Sequence, residues 1–418
     1  MHVGYVCSDF GVPVFGFKGC SIHVREMIEA LRRAGHEVSL FAPAIDMDER
    51  DGENRFDPDP SLPPVNLHPV AADGRHLELF RDFEKLDKFL GQKTRIRQEV
   101  RNLFYNMTLY DAAYAALREK PIDFVYERYT LLSASGTSLA RDLGVPHLLE
   151  VNAPLAYEQE KMRGLEMKEL AKGLESRIFG EADRLLVVSD ALKEFAVSRG
   201  VAEDRIHVIP NSVDPRRFRI SGAERDAMRV RLSVEDRCVI GFVGGLKPWH
   251  GTETLLQAFA ALRKRVDDTH ILIVGDGPAR DELEGYVDEQ NMRGDVTFTG
   301  KVPYREIPHY LAAMDVVVAP YTPNENFYFS PIKIFEYMMA GKPTVAGSIG
   351  QVADVILDRE NGRLYEPGNV AELADVLQDL VRNPSVRDSM GSAGRTWVES
   401  VRTWDHNAAE LIEIAATL

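Results

Sequence analysis

Cysteine is scarce in this chain: there are three in 418 residues, Cys7, Cys20 and Cys238. They form no Cys-x-x-Cys pair and no metal-ligand spacing. That argues against a structural zinc site and for a reduced, cytoplasmic setting. Positive charge is in deficit too. Lys and Arg number 50 against 65 Asp and Glu, a net −15, which argues against general nucleic-acid binding and against wholesale attraction to anionic membranes. No apolar run reaches the ~20 residues that a membrane span needs. His2 to Cys7 has neither a basic start nor a long apolar core, so no signal peptide is read there.

What is present is a soluble globular composition, 44% hydrophobic, in a chain long enough for two cores. Short apolar, β-branched runs alternate with longer helical patterns. They fall at 2–7, 37–42, 123–128, 147–151 and 184–188, then at 238–243, 270–274, 296–299, 316–320 and 344–346. Near-continuous apolar strands between helices mean parallel sheets covered on both faces. The fold class is therefore α/β, with two doubly wound, Rossmann-like domains. The proline-bearing segment Ile206–Phe218 marks the junction, giving domains 1–205 and 206–399. The final stretch, Thr396–Leu418, reads as helical, with Trp397 and Trp404 to anchor it, and its part from about 400 to 418 is expected to belong with the first domain. Asp73 to Lys120 carries no strand signal and reads as two or more helices. Lys93, Arg97 and Arg101 fall at i, i+4 and i+8 there, one basic stripe. Given the overall acidity it fits a solvated helix packed on its domain first, and peripheral contact with acidic lipid or an anionic acceptor second.

Ligands of doubly wound sheets bind beyond the carboxyl ends of the strands, so the strand-to-helix turns are the places to look. Ser8–Ser21 is a long glycine-bearing turn, neither a phosphate-binding P-loop nor a dinucleotide fingerprint. Gly244-Gly245-Leu246-Lys247-Pro248-Trp249-His250-Gly251 offers backbone amides and a lysine, a plausible phosphate seat. Ser330 to Gly341 reads as a helix with Ser330 as N-cap, Pro331 at the first position and Gly341 as the stop. Its charges, Lys333 and Glu336, share one stripe. They fit a surface ion pair or a cation and an anion offered to a ligand. A lysine in the first turn is disfavoured by ~0.3–1 kcal/mol, a penalty that a bound anion removes. Two cationic turns on one sheet edge suit a diphosphate, and Glu336 then suits the hydroxyls of an attached sugar.

These residues resemble those of a known family. Asn211-Ser212-Val213-Asp214, Gly275-Asp276-Gly277-Pro278, Gly300-Lys301-Val302 and Phe335-Glu336-Tyr337-Met338-Met339-Ala340-Gly341-Lys342-Pro343 together resemble the signatures of family-four retaining glycosyltransferases of GT-B fold. The resemblance implies two Rossmann-like domains facing a central cleft, the acceptor on the N-terminal one and the nucleotide-sugar donor on the C-terminal one, with the last helix packed back on the first domain. It implies that Glu336 holds the donor ribose, that the main chain of Val302 meets the base, and that Gly19, next to Lys18, approaches the diphosphate and sugar. It also implies transfer with retention, without a metal or other cofactor, and with closure of the domains.

Four positions depart from the family pattern. Tyr328 stands where a glutamate near the donor sugar is usual, with Glu325 nearby but out of register. Gly245 and His250 stand where an arginine and a lysine usually clamp the diphosphate, so Lys247 and Lys333 are the candidates for that charge. Lys18 replaces the first glycine of a usual pair. Asn152 stands where a histidine is common, and asparagine hydrogen-bonds but does not titrate. The expected donor contacts are Gly19, Gly244, Gly245, Lys247, His250, Val302, Ser330, Ile332, Lys333 and Glu336. The expected acceptor side is Lys18, Arg128, Glu150 and Asn152, and the expected catalytic groups are Asn152, Lys247 and Lys333. The donor is expected to be a UDP-sugar, with a GDP-sugar as the alternative, and the acceptor a hydroxyl of a small molecule, glycan or lipid. Two rival readings are a nucleotide-sugar epimerase, for which no titratable pair facing a sugar is found, and a sugar-binding protein without catalysis.

Overall fold

The computed structural model describes residues 1–45, 60–91, 93–324 and 327–418. It divides into two compact units, residues 1–210 with 404–418, and residues 211–403. Each is built on one parallel sheet.

The N-terminal unit carries seven strands: β1 His2–Val6, β2 Glu37–Pro43, β3 Val65–Val70, β4 Phe124–Arg128, β5 His147–Val151, β6 Arg184–Val187 and β7 Ile206–Val208. They are ordered β3-β2-β1-β4-β5-β6-β7. Its helices are α1 Gly19–Arg33, α2 Gly74–Leu90, α3 Ile96–Glu119, α4 Ser135–Leu143, α5 Leu155–Met162, α6 Lys168–Glu181 and α7 Asp190–Ser198. The five expected strands are all present, and β3 and β7 are additional. Because β7 pairs with β6, the expected junction at 205/206 moves to 210/211. Helix α1 starts at Gly19, inside the turn expected to run to Ser21.

The C-terminal unit has six strands: β8 Cys238–Val243, β9 Thr269–Val274, β10 Val296–Phe298, β11 Val316–Ala319, β12 Thr344–Gly347 and β13 Arg363–Tyr365. Their order is β10-β9-β8-β11-β12-β13. The helices are α8 Gly222–Leu232, α9 Thr252–Leu262, α10 Arg280–Glu289, α11 Ile307–Ala313, α12 Ile332–Met339, α13 Gly350–Val355, α14 Val370–Arg382 and α15 Pro384–Val401. Strands β8, β9, β11 and β12 are apolar and almost wholly buried, as a sheet covered on both faces requires. The strand order reverses between β8 and β11, which opens a crevice at their carboxyl ends. The last helix, α16 Trp404–Ala416, belongs to the N-terminal unit. There Trp404 is buried, its ring edge-on to His23 of α1 at 4.8 Å.

The basic stripe expected over 93–101 is not one face of a helix. Lys93 lies in the connection before α3. Arg97 is paired with Glu84 of α2 at 3.2 Å. Arg101 lies over the ring of Phe10, its guanidinium carbon 4.0 Å from the centroid. No helix among the described residues is long and apolar enough to cross a membrane.

Candidate functional site

The crevice between β8 and β11 is where the C-terminal unit gathers its expected donor residues. Strand β8 ends at Val243, and the chain then turns through Gly244 and Gly245. Gly244 has φ +147°, and a Cβ there would lie 2.6 Å from the Lys333 ammonium. Only glycine lets the backbone pass so close to that cation. The next turn, after β9, locks this one in place. The amide of Leu246 donates to Asp276 O at 3.0 Å, and that of Ala279 to Leu246 O at 3.1 Å. Gly275 has φ +138°, and a Cβ on it would meet Gly244 O at 2.0 Å.

Helix α12 follows the loop after β11 and enters the same crevice. Its Tyr337 hydroxyl accepts from Val243 N–H at 2.7 Å and contacts Val243 O at 3.2 Å. The helix is thereby tied to the end of β8. Lys333, one turn earlier, places its ammonium 4.3 Å from the Phe242 ring centroid and 5.5 Å from that of Tyr321. That nitrogen is buried and has no hydrogen-bond partner among the described residues. Burial lowers its pKa to about 7; Glu336 works in the opposite direction and Lys247 adds to the depression. The aromatic faces offset part of the lost hydration, but an orphan buried ammonium remains a costly arrangement.

Glu336 is 5% exposed, and one carboxylate oxygen accepts from the Tyr304 hydroxyl at 2.9 Å. Tyr304 opens the turn just after Val302, which is half-buried against the apolar cluster that includes Phe335 and Tyr337. The residues expected on the nucleoside side, Val302 and Glu336, are thus brought together by the loop after β10 and by α12. His250 donates from Nδ1 to Gly245 O at 2.5 Å. Burial first, then Lys333, holds its pKa down to about 3, so the ring is neutral and braces the turn. Lys247 is exposed, its ammonium 4.9 Å from the Trp249 ring.

Ser330 does not cap α12. Its side chain accepts from Asn211 N–H at 2.8 Å, and its carbonyl accepts from Asn211 Nδ2 at 2.5 Å. The N-cap position belongs to Pro331, and Ile332 is the first helical residue. Asn211 therefore anchors the loop that leads into α12, a role with no local signal. Tyr328 is buried, its ring 4.3 Å from that of Phe329; Glu325 lies outside the described residues. Tyr337 and Tyr304 were not anticipated as site residues; only their tertiary partners identify them.

In the N-terminal unit, Lys18 and Gly19 begin α1, and the Lys18 ammonium donates to Gly11 O at 3.2 Å. Asn152 follows β5, and its Nδ2 is buried without a hydrogen-bond partner among the described residues. Arg128 and Glu150, expected on the acceptor side, are instead internal. Glu150 contacts His23 Nε2 at 2.5 Å and Arg128 at 3.3 Å, and both residues are under 9% exposed. Burial opposes the charge on Glu150, but His23 and Arg128 outweigh it and hold the carboxyl at about 2. This network braces the ends of β4 and β5. Among the described residues no group of three or more His, Cys, Asp and Glu is placed to hold a metal ion.

The model of the group 1 glycosyl transferases matches residues 224–397, and that of glycosyltransferase family 4 matches residues 17–217. The 2-deoxystreptamine glucosyltransferase of Streptomyces kanamyceticus is 30% identical over 269 residues, 63% of this chain and 68% of that protein. A GDP-mannose-dependent α-(1-6)-phosphatidylinositol monomannoside mannosyltransferase of Mycobacterium tuberculosis is 30% identical over 254 residues, 60% of this chain and 66% of its own length. The match thus spans about two thirds of each relative. The structure of Anabaena HepE in complex with UDP superposes with a TM-score of 0.72 at 20% identity, covering all of both chains. The chain belongs to the family-four glycosyltransferases of GT-B fold.

Proposed function

We propose that the C-terminal unit binds a nucleoside-diphosphate sugar, a UDP-sugar before a GDP-sugar, and that the protein transfers the glycosyl group to a hydroxyl with retention and without a metal. The observation that carries this reading is the orphan ammonium of Lys333 beneath the Gly244–Gly245 turn. A diphosphate there would meet backbone amides and one buried cation at the switch point of the sheet. In this reading Glu336, one turn further along α12, accepts from ribose hydroxyls, and Tyr304 holds one of its oxygens.

The leaving group of the reaction is a diphosphate, so the barrier falls as its charge is neutralised. A fixed lysine and oriented amides do this without reorganising during the reaction. The usual arginine and lysine of the loop are here Gly245 and a neutral His250, and Lys333 takes over their charge from the helix, with Lys247 at the rim. Front-face attack by the acceptor hydroxyl, assisted by the departing phosphate oxygen, accounts for retention with no carboxylate nucleophile. Asn152, whose Nδ2 has no partner among the described residues, is the proposed hydrogen-bond donor to a sugar hydroxyl. HepE crystallised with UDP, and the mycobacterial relative is named GDP-mannose-dependent, which supports a nucleotide sugar and leaves the base to experiment. Calorimetric titration with UDP and GDP tests the reading. It expects one of them to bind, and Lys333→Ala to weaken that binding by about 10- to 100-fold, the range for a hydrogen bond to a charged group. Unchanged affinity in Lys333→Ala overturns the role given to this lysine.

A further inference from the structure

The N-terminal unit holds a second cation, Arg101, that forms no ion pair among the described residues. Arg101 lies in the first half of α3, and four contacts place that half along the carboxyl edge of the sheet. Asn102 donates to Leu131 O at 3.3 Å and Asn106 to Leu132 O at 2.6 Å, both in the loop after β4. The Tyr105 hydroxyl donates to Val70 O, at the end of β3, at 2.9 Å. The rings of Tyr105 and Phe10, the latter four residues past β1, are 4.6 Å apart.

At this edge the Arg101 guanidinium stacks on Phe10. Its one hydrogen bond among the described residues is from Nη2 to Asn102 Oδ1 at 3.4 Å, and its Nε is buried without a partner. Among the described residues it makes no ion pair, Asp9 acting on it only at a distance, in contrast to Arg97 one turn earlier, which is paired with Glu84. The nearby carboxylate, Asp9, accepts from Gly11 N–H at 2.6 Å. Lys18 reaches the same turn, donating to Gly11 O. The nitrogens left over on Arg101 are donors carrying a positive charge, and a ligand rich in anionic oxygens is what satisfies them. A guanidinium presents a planar fork to such oxygens, and stacking on Phe10 fixes its plane.

We propose that the acceptor carries a phosphate group and that Arg101, with Lys18 beside it, binds that phosphate at the carboxyl edge of the N-terminal sheet. This rests on the reading of the protein as a nucleotide-sugar transferase and names the chemical class of its acceptor. The phosphate belongs either to a soluble phosphomonoester or to a lipid headgroup, and the same cations serve both.

The test uses the full chain saturated with UDP, so that phosphate probes do not simply occupy the donor site. Glucose 6-phosphate and glucose are titrated separately, and sedimentation is measured with phosphatidylcholine vesicles with and without phosphatidylglycerol. The expected result is that one phosphate-bearing probe binds where its neutral counterpart does not. Arg101→Gln weakens that binding about tenfold or more, Arg101→Lys recovers part of it, and UDP affinity is the same in both variants. Binding of glucose 6-phosphate assigns a soluble acceptor, and binding of the anionic vesicles a lipid one. The inference is overturned if neither phosphate probe binds better than its neutral counterpart, or if Arg101→Gln leaves their binding unchanged. Failure of wild-type protein to bind UDP or GDP would instead strike the donor reading, so the two failures are separable.

Discussion

Lys333 costs the ligand-free protein stability, and the sign of that cost can be worked out. Its folded pKa, about 7, lies below the ordinary 10.5, so the unfolded chain binds this proton more readily. The penalty is therefore full below about pH 7 and is relieved as pH rises from there toward the ordinary lysine value. Lys333→Met keeps the apolar stem and removes the ammonium. It is expected to raise the ligand-free melting temperature at pH 6, with little gain at pH 10, and to lose most of the stabilisation by UDP; thermal melts with and without UDP check both. Glu336→Gln keeps an acceptor for Tyr304 but removes the charge. UDP affinity is expected to fall about tenfold, with a smaller loss for the 2′-deoxy nucleotide, as read by calorimetry. Equal losses for both nucleotides would remove Glu336 from the ribose.

The two glycine turns and α12 act as one element. Gly275 abuts Gly244, and a methyl group on it would press on the Gly244 carbonyl. Gly275→Ala is therefore expected to destabilise the C-terminal unit by more than ~1 kcal/mol and to weaken UDP binding, although residue 275 itself carries no charge. A variant that melts normally and binds UDP normally would contradict this coupling. These elements were largely legible in the sequence. Nine central strands announced themselves as apolar runs because both their faces are buried, and the edge strand β10 was read from its short Val-Thr-Phe run. The three that escaped notice are β3, β7 and β13 at the sheet edges. β3 includes Pro69 and is mostly half-exposed or exposed, while β7 and β13 have three residues each, so none shows a continuous apolar pattern. The cap at Ser330 was misread because Asn211, 119 residues away, competes for its hydroxyl. Burial of Lys333 was equally hidden, since Phe242 and Tyr321 are far from it in sequence and the spacing to Glu336 fits a surface pair as well.

At the scale of the molecule, the chain builds two units, each with its own sheet and core, and returns to the first to finish it. Trp404 is 1% exposed and closes against His23. Trp404→Ala should cost the N-terminal unit ~3–5 kcal/mol, seen as an earlier melting step, while the step stabilised by UDP stays in place. Loss of both together would mean that the units do not melt separately. The account as a whole turns on whether a diphosphate fills the site beneath Gly244. The direct measurement is calorimetric titration of the full chain with UDP at pH 8, in two buffers of different ionisation enthalpy. Near-neutral Lys333 must gain a proton to hold the diphosphate, so net proton uptake is predicted for the wild type and none for Lys333→Met, which binds more weakly. Binding without proton uptake and with the same affinity in both proteins, or no binding of UDP or GDP by the wild type, would contradict it.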